Sequence, residues 1–448
     1  MQINVVKEVN PISRLIGAIL LLASGICLIF LDTETISVII IPLIMIGILY
    51  YAIVRFIRYC DYQRFAYAII QLVVSIFISA VLAVFAQTFY SILHIVLAVL
   101  AFAIAVLRVL IALHLHNVEG PGVVSNIFSA VICILFGLSL LVFGPQLGNA
   151  FVFLVSGIYL ILFSLTFFSD FITAVTKKDL NNKSRKRKVT FALPNFVTAL
   201  TSTEIVNRYD KVLEENDNMT EIIDVKKGCE DQNVNFSVMI HVSQILAKRM
   251  GHVDISIGDT VYTYGCYDSS TNKLGGFISK GTFVVLPKEP YLENCLTQQR
   301  KYVVEYGCNL TDEQLDAVKN AIKEVFKHTT KKELSYNPKD DLSGNDGANT
   351  VAKLGGELYY VDDGPFKTYF AISTNCVQLA DLIIGEAGLD EMSSNSLKTP
   401  GAYYTLMENQ FYRANSRVIR RKVHLQTTPG EKRLIKEQIE KAKAEKKD

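Results

Sequence analysis

Two hydropathy regimes divide the chain near residue 170. Up to Phe168 long apolar runs dominate, and beyond Ser169 apolar and polar residues alternate over short distances. Six runs, Ile12–Leu31, Ile36–Val54, Tyr67–Phe85, Phe89–Leu113, Asn126–Phe143 and Ala150–Phe168, are long enough to be membrane spans. A hydrocarbon core about 30 Å thick takes about 20 helical residues to cross. The runs fall into three hairpins, whose turns follow Phe30, Phe85 and Phe143 at intervals of 55 and 58 residues. A small residue, Gly25, Ser79 or Gly137, precedes each of those aromatics. The first run has no small-residue cleavage site behind it and five further spans follow, so it reads as a span rather than a removable signal.

The second regime predicts mixed secondary structure. Strands are expected at Phe236–Val242, Gly251–Asp259, Thr260–Asp268 and Thr282–Leu286, with Gly258-Asp259 turning the second into the third. Thr311-Asp312-Glu313-Gln314 is a capping box that opens a helix to about Lys327. Glu357–Val361 and Thr368–Ser373 predict a hairpin around Asp362-Asp363-Gly364. Apolar Phe370, Ala371 and Ile372 then lead into Thr374-Asn375-Cys376, where Thr374 and Asn375 can cap a helix carrying Leu379, Leu382 and Ile383 on one face. The polar stretch 331–350 reads as a mobile insertion, and Glu431–Lys447 as a charged helix. The resulting division is a membrane domain over 1–170, a polybasic linker over 171–190, a soluble domain over 191–410 with its core from about 235, and a charged tail over 411–448.

Charge adds an orientation. The first, third and fifth connections between spans hold no lysine or arginine, whereas Arg55, Arg58 and Arg64 lie in the second. After the last span, residues 177–188 carry seven basic side chains against one acid. The positive-inside rule therefore puts both termini and the soluble domain in the cytoplasm of a bacterial-type inner membrane. Lys183, Arg185, Lys186, Arg187 and Lys188 fix that topology and can also attract anionic lipid headgroups. A net charge of +2 argues against a dedicated nucleic-acid binder. The eight cysteines form no CxxC pair, so neither a zinc module nor a disulfide framework is expected, and no cofactor or metal is predicted. His94 and Arg108 in the fourth span and Asp170 after the sixth make no proton-relay series, and no pair of broken helices suggests a transporter site.

The candidate chemistry centres on Cys376. In the first turn of a helix, unsatisfied amides and the positive dipole end favour thiolate over thiol. The plainer reading of Cys376 is a half-buried cysteine behind an ordinary cap. A nucleophilic thiolate needs a base, and histidine is the usual one. Of His241, His252, His328 and His424, His252 is the candidate. It begins a strand after a glycine and shares a face with Asp254 and Ser256, which can line a cleft.

Two resemblances follow. The three-hairpin half, roughly Pro11–Asp170, resembles the acid-resistance HdeD-type six-span membrane proteins, which implies a stress-response setting. The stretch Gly251-His252-Val253-Asp254-Ile255-Ser256-Ile257-Gly258-Asp259, followed far downstream by Asn375-Cys376-Val377-Gln378-Leu379-Ala380 and Thr399-Pro400, resembles the circularly permuted papain-like hydrolases. These include lecithin:retinol acyltransferase-like enzymes and the YiiX-type relatives of NlpC peptidases. This resemblance implies a cytoplasmic α+β domain with Cys376 as nucleophile and His252 as acid and base. The family often places a polar residue on the returning strand, where this chain has Tyr264, with Asp254 as the other possible orienter. The expected function is a membrane-tethered cysteine hydrolase or acyltransferase working on an ester or amide through an acyl-thioester. The alternative is a non-enzymatic stress-response membrane protein whose soluble domain binds a partner or lipid.

Overall fold

The computed structural model describes residues 2–6, 11–30, 69, 72–77, 86–117, 123–176, 220–243, 251–299, 301–338, 347–371, 374–388, 400–413 and 416–425. The expected span Ile36–Val54, residues 177–190 of the polybasic linker and the Glu431–Lys447 helix lie outside these residues, and Tyr67–Phe85 lies largely outside them; residues 171–176 continue the last helix rather than start a linker. The chain divides into two compact units, one formed by Leu15–Leu113 with Gly122–Phe168, and one by the remaining segments.

In the first unit, α1 (Pro11–Phe30), α2 (Ala86–Asn117), α3 (Val123–Val142) and α4 (Gly144–Thr176) match four of the six expected runs. All four are long and apolar enough to cross a membrane. With almost no hydrophobic drive between helices in lipid, small residues decide where backbones approach. A Cβ on Gly25 of α1 would lie 2.7 Å from the Gly157 carbonyl oxygen of α4, and one on Gly157 would lie 2.7 Å from the Gly25 oxygen. A Cβ on Gly137 of α3 would lie 2.9 Å from the Phe102 ring of α2. Gly25 and Gly137 of the hairpin pattern are thus helix-crossing points, and Ser79 lies outside the described residues. Arg108 donates to Asn126 Oδ1 at 3.1 Å.

The second unit is built on a ten-stranded mixed sheet. Its strands are β1 (Gln2–Val6), β2 (Glu221–Lys226), β3 (Phe236–Ser243), β4 (His252–Ile257), β5 (Thr260–Gly265), β7 (Thr282–Pro287), β8 (Lys301–Cys308), β9 (Thr329–Lys332), β10 (Glu357–Val361) and β12 (Val418–His424). They run in the order β1-β2-β12-β8-β3-β4-β5-β7-β10-β9. Among the described residues only β1 and β2 pair in parallel. A separate ribbon joins β6 (Ile278–Lys280) to β11 (Thr368–Phe370).

Strand alternation sends Val238, Ile240, Val253, Ile255 and Tyr264 to one face, under α6 (Asp312–Lys327), α8 (Cys376–Glu386) and α9 (Pro400–Tyr412). It sends Met239, Val261, Val284 and Val303 to the other, under α5 (Lys288–Thr297) and α7 (Gly347–Lys353). Each fully buried aliphatic contributes about 1.5–3 kcal/mol relative to exposure, so both layers hold the sheet firmly.

The capping box formed as expected, with Thr311 and Gln314 bonding each other's backbone. Four expectations need correction. Residues 357–361 and 368–373 form no hairpin, because β10 pairs with β7 and β9 while β11 pairs with β6. The stretch 331–350 begins inside β9 and ends inside α7, so only its middle can be an insertion. The tail from 411 begins with the end of α9 and the inner strand β12, whose Arg421 is neutralised by Asp224 and Glu408 rather than by water. The sheet also reaches back beyond residue 235 to include β1 and β2.

Candidate active site

The site sits where the start of β4 meets the start of α8. Asn375 caps α8: its side-chain oxygen accepts from the Gln378 amide at 3.1 Å, and its amide donates to the Ala371 carbonyl at 3.0 Å. Thr374 donates to the Thr368 carbonyl at 2.7 Å. These bonds tie the first turn of α8 to the ribbon strand β11, and Cys376, 4% exposed, is the first residue of that turn.

His252 is the first residue of β4, directly after Gly251. Gly251 has φ of +55°, and a Cβ there would lie 2.8 Å from the His241 carbonyl oxygen and 2.9 Å from Pro400 Cβ. Only glycine fits that backbone without strain. Cys376 is near enough to His252 to raise the imidazole's affinity for a proton. Its Nε2 is engaged elsewhere: it lies 2.6 Å from Thr263 Oγ1, 2.8 Å from Asp254 Oδ1 and 3.4 Å from the Tyr267 hydroxyl. The Nε2–H bond is directed at Thr263, and Asp254 Oδ1 lies off that line, supplying charge more than a linear hydrogen bond. The His252 side chain keeps 18% of its surface exposed, whereas that of Asp254 keeps none.

Asp254 is shared. Its Oδ2 accepts from the Tyr291 hydroxyl at 2.6 Å and lies 2.7 Å from His241 Nε2. Burial alone would push the carboxyl up, but the two imidazoles outweigh it and hold Asp254 well below the usual carboxylate range. Burial likewise pushes His252 down, yet Asp254 and Cys376 together raise it well above an ordinary histidine. His241, wholly buried, moves the other way: burial lowers it more than Asp254 lifts it.

Tyr264 does not orient His252. Its hydroxyl donates to the Phe366 carbonyl at 2.9 Å, and its ring packs on the α8 side of the sheet. The reason is pleat parity. Ile255 pairs with Tyr262 and Ser256 with Val261, so the same register sets Asp254 opposite Thr263 and puts Tyr264 on the other face. The returning-strand polar residue is Thr263, one position earlier. Asp254, the other residue considered from sequence, does contact the imidazole. His241, Thr263, Tyr267 and Tyr291 were missed. Counting the β4–β5 turn back from Gly258-Asp259 would have found Thr263. The pairing of His241 with His252 across two strands separated by residues 244–251 carries no local signal.

Beneath the thiol lies a cavity of about 10 Å³, lined by Cys376, Thr263, Tyr264, Val253, Leu379 and Ile383. It has room for about one water. Among the described residues no group of three or more His, Cys, Asp or Glu side chains could hold a metal ion. His424, which falls in the charged tail expected from 411, is buried with Nε2 2.9 Å from Glu305 Oε2. Compared with known proteins, the chain matches no family model, no curated protein and no solved structure.

Proposed function

We propose that the protein is a membrane-tethered cysteine hydrolase or acyltransferase acting on an ester or amide bond. One observation carries this reading: a single imidazole at the start of β4 has a fully buried carboxylate oxygen 2.8 Å from its Nε2 and is raised further by the helix-opening thiol. A histidine raised by both neighbours can hold a proton beside the thiol and deliver it to a leaving group. The Cys376 sulfur attacks the carbonyl carbon, and the first-turn amides of α8 receive the developing oxyanion. His252 gives its proton to the departing alcohol or amine, leaving an acyl-thioester. It then takes a proton from water or another acceptor, whose oxygen or nitrogen displaces the thiolate. Thr263 and Asp254 keep the ring turned for both transfers.

The setting follows from two further points. Because β1 lies in the same sheet as β2, residues 2–6 and 221–226 lie on one side of any membrane, which requires an even number of crossings between them. Six spans would satisfy that, and the positive-inside rule favours the cytoplasm for this side. Inner-leaflet acyl groups or cytoplasmic amide bonds then become reachable, and the five basic residues Lys183, Arg185, Lys186, Arg187 and Lys188 can meet anionic headgroups. The permuted papain-like architecture suggested by the sequence is part of the same proposal.

A second reading, a non-enzymatic module that binds a partner or lipid, is favoured by the burial of Cys376 at 4% exposure and the small cavity below it. Labelling with a cysteine-directed acyl probe separates the two. The enzyme reading expects labelling of Cys376 in the full chain, abolished in Cys376→Ser and strongly reduced in His252→Ala. Equal labelling of His252→Ala would support the binding module.

A further inference from the structure

A fully buried carboxylate between two histidines is more than a triad needs. His241 and His252 are cross-strand partners, with ring centroids 5.7 Å apart, and both approach Asp254. The two carboxylate oxygens divide the work: Oδ1 faces His252, while Oδ2 faces His241 and Tyr291. We propose that His241 is a positioning residue, a neutral second imidazole that with Tyr291 holds Asp254 Oδ2 so that Oδ1 is presented to His252. This rests on the Cys376–His252 reading above.

The tautomer follows from the surroundings. His241 is 1% exposed, and its Nδ1 has no partner. A proton on Nδ1 would strand a buried N–H, which costs about 1–3 kcal/mol. A lone pair on Nε2 would face a carboxylate oxygen at 2.7 Å. For the neutral ring with its proton on Nε2, the 2.7 Å contact becomes attractive and no N–H is left on Nδ1. That N–H is inclined from the line to Oδ2, so the contact works by charge and dipole as well as by hydrogen bonding. The other groups facing the cluster support the assignment. Lys301 on β8 disfavours a second positive charge, and the acidic protons of Tyr291 and Cys295 on α5 and of Tyr267 after β5 are held by burial. Cys266 at the end of β5 and Cys376 on α8 complete the set, and Cys376 acts on His252. His241 therefore stabilises the Asp254 anion without competing for the catalytic proton. An imidazolium at that position would drain the charge that His252 needs.

The test is the pH dependence of Cys376 alkylation by iodoacetamide in the full chain in detergent, read by peptide mass spectrometry. Wild type should react well into mildly acidic pH. In His241→Leu the acid limb should move up by about one pH unit, a tenfold loss of rate at acidic pH, with the alkaline plateau unchanged. His241→Gln, which keeps an N–H donor but cannot titrate, should restore the rate to within about twofold of wild type. Tyr291→Phe should shift the limb in the same direction, and it carries the test if His241→Leu does not fold. A wild-type profile in folded His241→Leu, or in Tyr291→Phe where that variant stands in, would overturn the inference. An equal shift in His241→Gln and His241→Leu would do the same. If wild-type Cys376 itself fell silent together with Cys229, the Cys376–His252 pair would fail first and this inference with it.

Discussion

Replacing Asp254 by asparagine removes one charge from the centre of the site while keeping its shape. In the native protein the carboxylate lies 2.8 Å from His252 Nε2 and 2.7 Å from His241 Nε2, with no exposed side-chain surface. At an effective dielectric of about 20, a full charge pair at the first distance attracts by about 6 kcal/mol before desolvation is subtracted. Deleting one member of a buried pair costs about 3–5 kcal/mol. For a domain of this size that lowers the thermal midpoint by on the order of 10 °C.

The pH dependence has a definite sign. Asp254 is depressed from an ordinary 3.8, so its contribution is present above that value and lost as pH falls. His252 is raised from an ordinary 6.5, so its contribution is present below that value and lost as pH climbs through the folded one. The gap between wild type and Asp254→Asn should therefore be widest between about pH 4 and 6.5 and should narrow on both sides. Circular dichroism melts of the full chain in detergent across this range measure it. Alkylation of Cys376 in the same samples should lose its acid limb, because burial then dominates His252. A pH-independent gap, or an unchanged limb, would refute the reasoning.

Three other outcomes follow from single contacts. Gly251→Ala forces a Cβ to within 2.8 Å of the His241 carbonyl at φ of +55°, so it should cost at least about 2 kcal/mol and weaken probe labelling of Cys376; native labelling would contradict it. Tyr264→Phe removes the bond to the Phe366 carbonyl, so melts should show a loss of about 1 kcal/mol while the Cys376 profile stays in place; a displaced profile would return Tyr264 to the site. Burial pushes the Cys295 and Cys308 thiols up to about 12, so both should resist alkylation in the folded chain, and stability should decline as pH rises above their ordinary 9.0, where the unfolded thiols ionise.

What the sequence disclosed was local. The Thr311 capping box, the Gly258-Asp259 turn and the Asn375 cap each fit within a few residues, and each formed as the pattern predicts. Four apolar runs became helices for the same reason. The failures were non-local. β12 carries Arg420-Arg421-Lys422 and looked like a tail, because the Asp224 and Glu408 carboxylates that neutralise Arg421 come from distant segments. β1 is short, and nothing near it foretells a parallel partner at 221–226. Tyr264 is one residue beyond Thr263, and a one-residue difference in a strand reverses the face. His241 was visible as a strand-closing histidine, but its role depends on a carboxylate thirteen residues away across a sheet.

The central claim is that Cys376 carries an acyl group in turnover. The most direct measurement is intact-protein and peptide mass spectrometry of the full chain mixed with a small activated ester and quenched at intervals. The account predicts one hydroxylamine-sensitive acyl group on Cys376, formed quickly and then lost to water, absent in Cys376→Ser and slow to form in His252→Ala. Acylation spread evenly over the accessible cysteines, or none at Cys376 above that in His252→Ala, would contradict it.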